Sequence, residues 1–589
     1  MQLKTILSAF VRPVKEKLPF FCLFLIAIDA IPLRLFISNI HYRNIGAIGE
    51  FLLEDFPRAG VIAYLATLVV YFFRKKWVLM GGYVLATILL AVCLFLHLVF
   101  GKTLQPDIVT LILETNSQES SEFISSFLFT KGGIATIVIC LLYVALAIVC
   151  ERRKSRIKLR ISGLKYKFIF YFLLFIFLFQ GMLNLRFFYN TLCAKTVDVL
   201  PYNDGKYDAV TSLFYSFYSI KLVNEEMKQA IEVSRNIKQE NVTSYADSLN
   251  VIYVIGESYI KSHAQLYGYN LPTTPNLLRE KESGNLFVFD NVVSPFNSTT
   301  LTMKNTFCCN SIRDKERWAD CPYFPTIFKK AGFDVYFWDV QKDDSIQAIF
   351  EYSLNSFVYN KDLAQESYTK ISKNVFQYDD QAVSDFSAEV KKTGKCNLII
   401  FHLMGQHVAA KRRYPHTKQF DKFTFKDIKS KASYLDDSKR QMIAEYDNAT
   451  LYNDYVLKHI IDLYRNKNTV LLYFSDHGEE VFDYRDSFGR GILDNKMLRQ
   501  GLRSQYEVPF MIWCSDKYIQ MHPQKMKAIK SALHRPFETD NLCNVLFDLA
   551  GISTPIYKPA RDVLSPKYQR KDRVVEGKYN YDKIMKLLK

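Results

Sequence analysis

The chain has 589 residues, which is too long for one compact domain, so two or more domains are expected. A net charge of +17 indicates an anionic partner such as nucleic acid, phospholipid or a phosphorylated glycan. No zinc-finger spacing, RNP-like run or helix-turn-helix pattern supports nucleic acid, whereas much of the lysine and arginine flanks apolar segments. The charge is therefore best explained by a membrane.

Five apolar segments before residue 190 are candidates for membrane-spanning helices. They cover about residues 18–38, 58–73, 77–99, 132–150 and 168–188. The second is short for a crossing of roughly 20 residues. Asp29, within the first segment, is either a functional carboxylate at depth or a sign that the span ends early, at Ile31 and Pro32. We favour the early end.

Lysine and arginine cluster before the first segment, between the second and third, and between the fourth and fifth. These three stretches share one side if every segment crosses once, and the positive-inside rule assigns that side to the cytoplasm. Residues 1–190 are therefore predicted to form a transmembrane domain. Residues 191–245 form a linker with an interfacial helix and an amphipathic helix, and residues 246–589 form a soluble domain outside the cytoplasmic membrane.

The soluble part alternates short apolar runs with helical stretches, which predicts an α/β sheet covered by helices. Open sheets of this kind bind ligands beyond the carboxyl ends of their strands. Chemically useful side chains follow four of the predicted strands. They are Glu257 after VIYVI, the hydroxyl residues of FNSTT (296–300), His407 after NLIIFHLMGQ, and Asp476 with His477 after VLLYFS.

These side chains form a coherent set for metal chemistry. Carboxylate and imidazole ligands such as Glu257, Asp476 and His477 suit zinc or manganese. Thr299 stands at a predicted helix N-terminus, where a hydroxyl beside a metal becomes a nucleophile and a phosphate is stabilised. His407 is a candidate to hydrogen-bond a phosphate oxygen or to protonate a leaving group. Each feature taken alone is more typical of a cap, a turn or a loop.

With these residues identified, the chain resembles the phosphoethanolamine transferases of Gram-negative inner membranes, nearest the branch that modifies lipopolysaccharide core sugars. The resemblance rests on VIGESYIKSHAQLYGYNLPTTPNL (254–277), SPFNSTT (294–300), HLMGQH (402–407), EYDNATLYNDYVL (445–457), YFSDHGEEV (473–481) and YEVPFMIW (506–513). It implies an α-helical bundle of five spans followed by an α/β/α sulfatase-like catalytic domain of the alkaline phosphatase superfamily. It also implies a multi-pass inner-membrane enzyme with its catalytic domain in the periplasm.

The resemblance further implies roles for individual residues. Zinc would be held by Glu257, Thr299, Asp476 and His477, and Thr299 would carry the phosphoethanolamine, with Thr300 as the fallback. His407 would lie near the phosphate. The donor would be phosphatidylethanolamine, with its headgroup near Thr115 and Glu119, and the acceptor would be lipopolysaccharide or another envelope glycan.

The sequence departs from the family pattern in two places. The family often has an asparagine four residues before the threonine that is Thr115 here, but this chain has Leu111. No histidine occurs between His477 and His522, so a second zinc ion is not supported. A glycerol-phosphate transferase and a non-catalytic membrane scaffold stay open as alternatives. A sulfatase is disfavoured because neither C-x-P-x-R nor S-x-P-x-R occurs.

Overall fold

The structure is a computed structural model that describes residues 2–41, 44–100, 103–106, 108–109, 128–153, 164–196, 200, 207–342, 358–391, 393–490, 493 and 495–587. Within it the chain divides into two compact units, the first ending at Glu226 and the second beginning at Met227.

The described part of the first unit is helical. Its helices are α1 Gln2–Glu16, α2 Leu18–Ile28, α3 Ala30–His41, α4 Ile45–Glu50, α5 Phe56–Phe73, α6 Lys76–Phe100, α7 Lys131–Arg152, α8 Leu164–Asn184, α9 Arg186–Cys193 and α10 Ala209–Asn236, with a π-helical turn over Phe51–Asp55.

Four helical stretches among the described residues are long and apolar enough to cross a membrane, and a fifth crossing is possible if α2 and α3 form one span. Those two helices meet at Asp29 with a bend of 71°. The second predicted span, which seemed short, extends back through the π-helical turn and covers Ile45–Phe73. This length of 29 residues is more than a crossing requires.

The second unit is built around a seven-stranded sheet with the order β3-β11-β8-β2-β7-β5-β6. Strands β2, β5, β6, β7 and β8 run parallel, and β11 is antiparallel to both of its neighbours. The sheet strands are β2 Leu249–Gly256, β3 Leu286–Phe289, β5 Asp334–Asp339, β6 Lys370–Ile371, β7 Cys396–His402, β8 Thr469–Ser475 and β11 Phe510–Cys514.

Short strands and helices complete this unit. The strands are β1 Thr243–Ser244, β4 Val292–Val293, β9 Glu480–Val481, β10 Phe488–Gly489, β12 Phe537–Glu538, β13 Ile552–Ser553, β14 Val574–Val575 and β15 Tyr579–Asn580. The helices are α11 Pro275–Glu282, α12 Thr299–Phe307, α13 Phe324–Lys330, α14 Lys361–Ser367, α15 Asp379–Glu389, α16 Asp437–Tyr464, α17 Leu498–Tyr506, α18 Asp516–Met521, α19 Pro523–Ala532, α20 Leu542–Ala550 and α21 Tyr581–Leu587.

Strand β2 lies at the centre of the sheet, and every one of its residues is buried. Its continuous apolar sequence follows from burial on both faces, as expected for a parallel strand between helical layers. On one face, Tyr253 contacts Phe307 of α12, with their ring centres 6.2 Å apart. On the other face, Ile252 and Val254 belong to the same buried cluster as α16. This packing fixes α12, which begins at Thr299, against the centre of the sheet.

The segment that joins the two units differs from the two helices expected there. Helix α10 runs without a break over Ala209–Asn236 and contains the division between the units. Its first half carries the aromatic residues that indicated an interfacial helix, and its second half carries the charged residues that indicated an amphipathic one. No glycine or proline interrupts this sequence, so the two patterns form one helix.

Candidate functional site

The carboxyl end of β2 leads directly into a cluster of buried polar residues. Gly256 ends the strand where a side chain has no room, because a Cβ atom there would lie 2.1 Å from the Tyr473 hydroxyl. Glu257 follows and is fully buried. Its Oε1 accepts a hydrogen bond from the Ser258 hydroxyl at 2.7 Å. The glutamate therefore enters the interior at the edge where parallel sheets of this type bind ligands.

Strand β8, the neighbour of β2, delivers two more members of the cluster. Ser475 pairs with Gly256 in register, so Asp476 and His477 emerge beside Glu257. Nε2 of His477 lies 3.2 Å from Oε1 of Glu257 and 3.1 Å from Oδ2 of Asp476. Nδ1 of His477 faces the Gly478 carbonyl oxygen at 2.8 Å. That contact assigns a proton to Nδ1 and directs Nε2 towards the carboxylates.

Thr299 reaches the cluster from a different part of the fold. Helix α12 begins at this residue, as the sequence predicted. The Thr299 hydroxyl donates to Oε2 of Glu257 at 3.0 Å and lies 3.2 Å from Nε2 of His477. The structure thus brings together the four residues that sequence analysis proposed as zinc ligands.

The pKa shifts in the cluster indicate that its buried carboxylates need a positive charge beside them. Burial acts to lower the pKa of His477, but Asp476 and Glu257 raise it to about 9. Burial and the charge of Glu257 raise the pKa of Asp476 to about 7. Burial also acts to raise the pKa of Glu257, yet His477 holds it well below its usual range. Two carboxylates buried this closely need a cation between them, and a proton or a metal ion meets that need.

The donor set fits a metal ion. Ligand atoms of Glu257, Asp476 and His477 all lie within 4.8 Å of one another, and all three residues are buried. Oδ1 of Asp476 accepts from two backbone N–H groups, whereas its Oδ2 is buried and accepts no hydrogen bond from any described residue. An orphaned carboxylate oxygen beside an imidazole nitrogen is suited to zinc, which takes oxygen and nitrogen ligands.

His407 lies in the loop after β7 and is half-buried. Burial lowers its pKa, and the cations of Arg413 and Arg490 act in the same direction against Glu257. Nη2 of Arg413 lies 3.3 Å from Nδ1 of His407. Because a guanidinium only donates, Nδ1 is the acceptor, and the neutral ring carries its proton on Nε2.

Two residues at the cluster were missed by sequence analysis. Gln341 follows β5 and donates to Oε2 of Glu257 at 3.1 Å, so reading the residues after that strand would have found it. Arg490 lies in a loop without periodic pattern, and no sequence signal pointed to it. Its Nη1 lies 2.7 Å from Nε2 of His477 and 3.1 Å from the Asn297 carbonyl oxygen. This contact places a guanidinium at the opening of the cluster.

The two residues expected near the donor headgroup, Thr115 and Glu119, lie outside the described part of the chain. Leu111, which replaces the usual asparagine, also lies outside it. The structure therefore leaves the donor site as a prediction.

Comparison with known proteins places this geometry in a family. The sulfatase family profile matches residues 249–552, a little over half of the chain. The chain therefore belongs to the sulfatase family.

The relatives that match most of this chain are named as phosphoethanolamine transferases. "Phosphoethanolamine transferase EptC" of Escherichia coli K12 is 27% identical over 515 residues, which are 85% of this chain and 84% of that protein. "Phosphoethanolamine transferase CptA" of Salmonella typhimurium is 26% identical over 502 residues, covering 83% of this chain and 82% of the relative. The resemblance found in the sequence motifs is confirmed, including its placement nearest the EptC-like branch.

Solved structures agree on the fold. The C-terminal periplasmic domain of EptC from E. coli superposes with a TM-score of 0.50 at 26% identity, covering 58% of this chain and 95% of that one. The integral membrane lipooligosaccharide phosphoethanolamine transferase A of Neisseria meningitidis covers 92% of this chain and 97% of its own, with a TM-score of 0.51. At 17% identity the second likeness concerns the fold alone. The predicted fold class, helices followed by a sulfatase-like α/β domain, is confirmed.

The close approach of two loops at the cluster gives a test of its packing. Gly405 has a positive φ of 49°, and a Cβ atom there would lie 2.8 Å from the Glu257 carbonyl oxygen. We expect Gly405→Ala to lower the unfolding free energy by more than the roughly 1–2 kcal/mol of left-handed strain, because the Glu257 backbone must also move. Urea unfolding of the purified chain, followed by tryptophan fluorescence, measures this.

Gly551→Ala is the matched control, since Gly551 has a φ of 64° and nothing within 4 Å of the added Cβ. It should show the left-handed strain alone. Equal losses in the two variants would mean that the Gly405 loop does not constrain Glu257.

Proposed function

We propose that this protein transfers phosphoethanolamine from phosphatidylethanolamine to lipopolysaccharide, at its core or lipid A, or to another envelope glycan. The reaction would use zinc held by Glu257, Thr299, Asp476 and His477, and would pass through a phospho-threonine at Thr299. In this proposal the catalytic domain comprises residues 246–589 and lies in the periplasm, anchored to the inner membrane by five spans. The names of the EptC and CptA relatives support this class of reaction.

One observation carries the proposal. The Thr299 hydroxyl contacts both a carboxylate and an imidazole of the buried cluster, at 3.0 and 3.2 Å, and stands at the first residue of a nine-residue helix. The helix N-terminus favours the negative charge of a phosphate at the same place. A zinc ion in this donor set would lower the pKa of the hydroxyl and offset charge on the phosphate.

The first half of the reaction moves the phosphoethanolamine to the protein. The Thr299 hydroxyl loses its proton as its oxygen forms a bond to phosphorus. The bond from phosphorus to the glycerol oxygen breaks, and that oxygen takes up a proton as diacylglycerol leaves, so no net proton is gained or lost. His407, neutral with its proton on Nε2, is suited to donate a hydrogen bond to a phosphate oxygen. Because diacylglycerol stays in the bilayer, an enzyme anchored there meets its donor and releases this product in one place.

The second half of the reaction moves the phosphoethanolamine to the acceptor and regenerates the free threonine. An acceptor hydroxyl or phosphate oxygen attacks the phospho-threonine, the bond to Thr299 breaks, and the Thr299 oxygen regains a proton. Arg490 is suited to support both halves. With Nε2 of His477 bound to zinc, Nη1 of Arg490 would lose its contact with that nitrogen, and the guanidinium, near the carbonyl of Asn297 two residues before Thr299, would be available to the phosphate. A planar guanidinium binds phosphate oxygens in pairs and remains charged at any working pH.

Zinc binding is tested by elemental analysis of the purified full chain. We expect bound zinc to fall by more than roughly tenfold in Asp476→Asn and in His477→Gln, because each removes a ligand from the cluster. His534→Gln is the control, since His534 is an exposed histidine bonded only to Asp290 among the described residues. Undiminished zinc in both cluster variants would place the metal elsewhere.

The nucleophile is tested by intact-protein mass spectrometry and peptide mapping after incubation with phosphatidylethanolamine and zinc. We expect a phosphoethanolamine adduct on Thr299, absent from Thr299→Ala and retained in Thr300→Ala. An adduct on Thr300 would contradict the assigned nucleophile. A glycerol-phosphate adduct formed only with phosphatidylglycerol would favour the alternative donor, and a zinc-loaded chain that forms no adduct with either lipid would favour a scaffold.

The role of Arg490 is tested by Arg490→Gln. We expect adduct formation to slow by about 10²-fold, the usual effect of removing one group that stabilises charge in the transition state. Bound zinc should not decrease, which separates phosphate binding from damage to the metal site. Arg570→Gln, which alters an exposed arginine, controls for net charge. A normal rate in Arg490→Gln would remove the guanidinium from the mechanism.

A further inference from the structure

A cavity of the second unit lies beside the metal-site loops, and none of the proposed ligands lines it. Its volume is about 540 Å³, within the range of small-molecule sites. We call it the tyrosine groove and define it by six lining residues, Lys261, Tyr267, Tyr269, Asn270, Tyr484 and Arg503. Nothing in the proposed transfer chemistry uses these residues.

The three tyrosines are held rigidly by their hydroxyl groups. The hydroxyl of Tyr267 donates to the carbonyl of Phe510 at 3.1 Å and accepts from the N–H of the same residue at 3.0 Å. Tyr269 donates to Asp447 at 2.8 Å, and Tyr484 donates to Glu480 at 2.5 Å. All three rings are half-buried. Lys261 lies over the ring of Tyr267, Arg485 lies over that of Tyr484, and His263 packs against that of Tyr269. Because the hydroxyls are bonded and one side of each ring meets a neighbour, the rings line the groove with their remaining carbon surface.

A buried ionic network supports one wall. His263 lies between Asp447 at 2.7 Å and Asp483 at 3.1 Å, and it is buried while Asp483 lines the cavity. Burial acts to lower the pKa of His263, but the two aspartates raise it to about 10. Burying the charged His263 with its two aspartates costs free energy that packing apolar side chains at the same place would not cost. The network fixes Tyr269 through Asp447, so its effect is to define the shape of the groove.

The polar groups of the groove are balanced in charge. Glu507 accepts from Lys261 at 2.8 Å and from Arg503 at 3.2 Å. Asp483 is a second carboxylate in the lining, so the two cations are offset by two carboxylates. The amides of Asn270 and Gln500 are exposed at the cavity and offer both donors and acceptors. An anion would find these cations already paired, and an apolar ligand would leave the charged groups without water. Rigid aromatic surfaces beside mixed donors and acceptors match the alternating C–H faces and hydroxyls of a sugar.

A chain of hydrogen bonds links the groove to the loop of the nucleophile. Glu480 accepts from Tyr484 in the groove and from the Gln505 amide at 2.7 Å. The Gln505 amide oxygen in turn accepts from Asn297 at 2.6 Å. Asn297 stands two residues before Thr299. A ligand that contacts Tyr484 is therefore linked to the reacting loop through three hydrogen bonds.

We infer that the tyrosine groove binds a sugar residue of the acceptor glycan, away from the phosphate that is transferred. This inference rests on the proposed function for its choice of acceptor. The groove would recognise the glycan by ring faces and hydroxyls, whereas the metal cluster would recognise the phosphate by charge.

The test uses the full chain carrying Thr299→Ala, so that binding is measured without turnover. The probe is the dephosphorylated core oligosaccharide released from lipopolysaccharide, titrated by calorimetry. We expect saturable binding, weakened about tenfold or more when Asn270→Ala and Gln500→Ala are added, since lost hydrogen bonds of about 1.4 kcal/mol in total correspond to that factor. Gln524→Ala, an exposed glutamine on α19, is the matched control and should leave the affinity unchanged. Titration with the dephosphorylated lipid A disaccharide asks whether the sugar comes from the core or from lipid A.

Steady-state transfer to the core oligosaccharide with its phosphates retained gives an independent readout in chains that retain Thr299. The groove variants should raise the KM for the oligosaccharide with little change in kcat, as expected for lost acceptor binding. No binding of either saccharide, or equal affinity in the groove variants, would overturn the inference even if the Thr299 adduct forms. Conversely, the chain that retains Thr299 could fail to form the adduct while saccharide binding still depends on the groove residues. That result would support the groove and reject the proposed transfer.

Discussion

The structure of the catalytic unit depends on one constraint, which is that two buried carboxylates lie beside a single imidazole nitrogen and need their charge compensated. Glu257 and Asp476 both lie about 3 Å from Nε2 of His477, and none of the three is exposed to solvent. Removing such charges from water is costly unless hydrogen bonds or a cation compensate. Ser258 and Gln341 satisfy Glu257, and two backbone N–H groups satisfy one oxygen of Asp476. The oxygen left without a donor defines where a cation is required.

The strand order and register of the sheet bring these groups together. Parallel β2 and β8 end in register, so residues distant in sequence emerge side by side. Strand β7 runs on the other side of β2, and its continuation packs against Glu257 through the N–H of Gln406, which donates to the Glu257 carbonyl at 3.0 Å. Thr299 completes the cluster from α12, which is fixed by Phe307 against Tyr253 of β2. A change at the centre of the sheet is therefore expected to shift Thr299, the proposed nucleophile.

The strand-end rule explains why much of the cluster was visible in the sequence. Glu257, Asp476 and His477 directly follow long apolar runs, so their common edge could be predicted without knowing the strand order. Thr299 follows the two-residue strand β4, outside the main sheet, and its proximity depends on tertiary packing. Arg490 comes from an irregular loop, where no periodicity constrains position. The bend at Asp29 lies beside the early end expected at Ile31 and Pro32, but its angle of 71° was hidden, as was the continuous helix Ala209–Asn236. Hydropathy records which segments are apolar but not how they bend or join.

The tyrosine groove was invisible to sequence analysis for a related physical reason. Its walls are tyrosines whose hydroxyls bond to partners between 4 and 243 positions away, and only the fold decides which ring faces remain open. A separate site for the acceptor suits the proposed reaction, in which the donor and the acceptor react in turn. In the proposed mechanism the donor phosphate occupies the cluster first, so a glycan bound there would compete with the donor lipid. A groove that bound sugars through rings and amides would avoid that competition, and the hydrogen bonds from Tyr484 to Asn297 would still link the bound acceptor to Thr299.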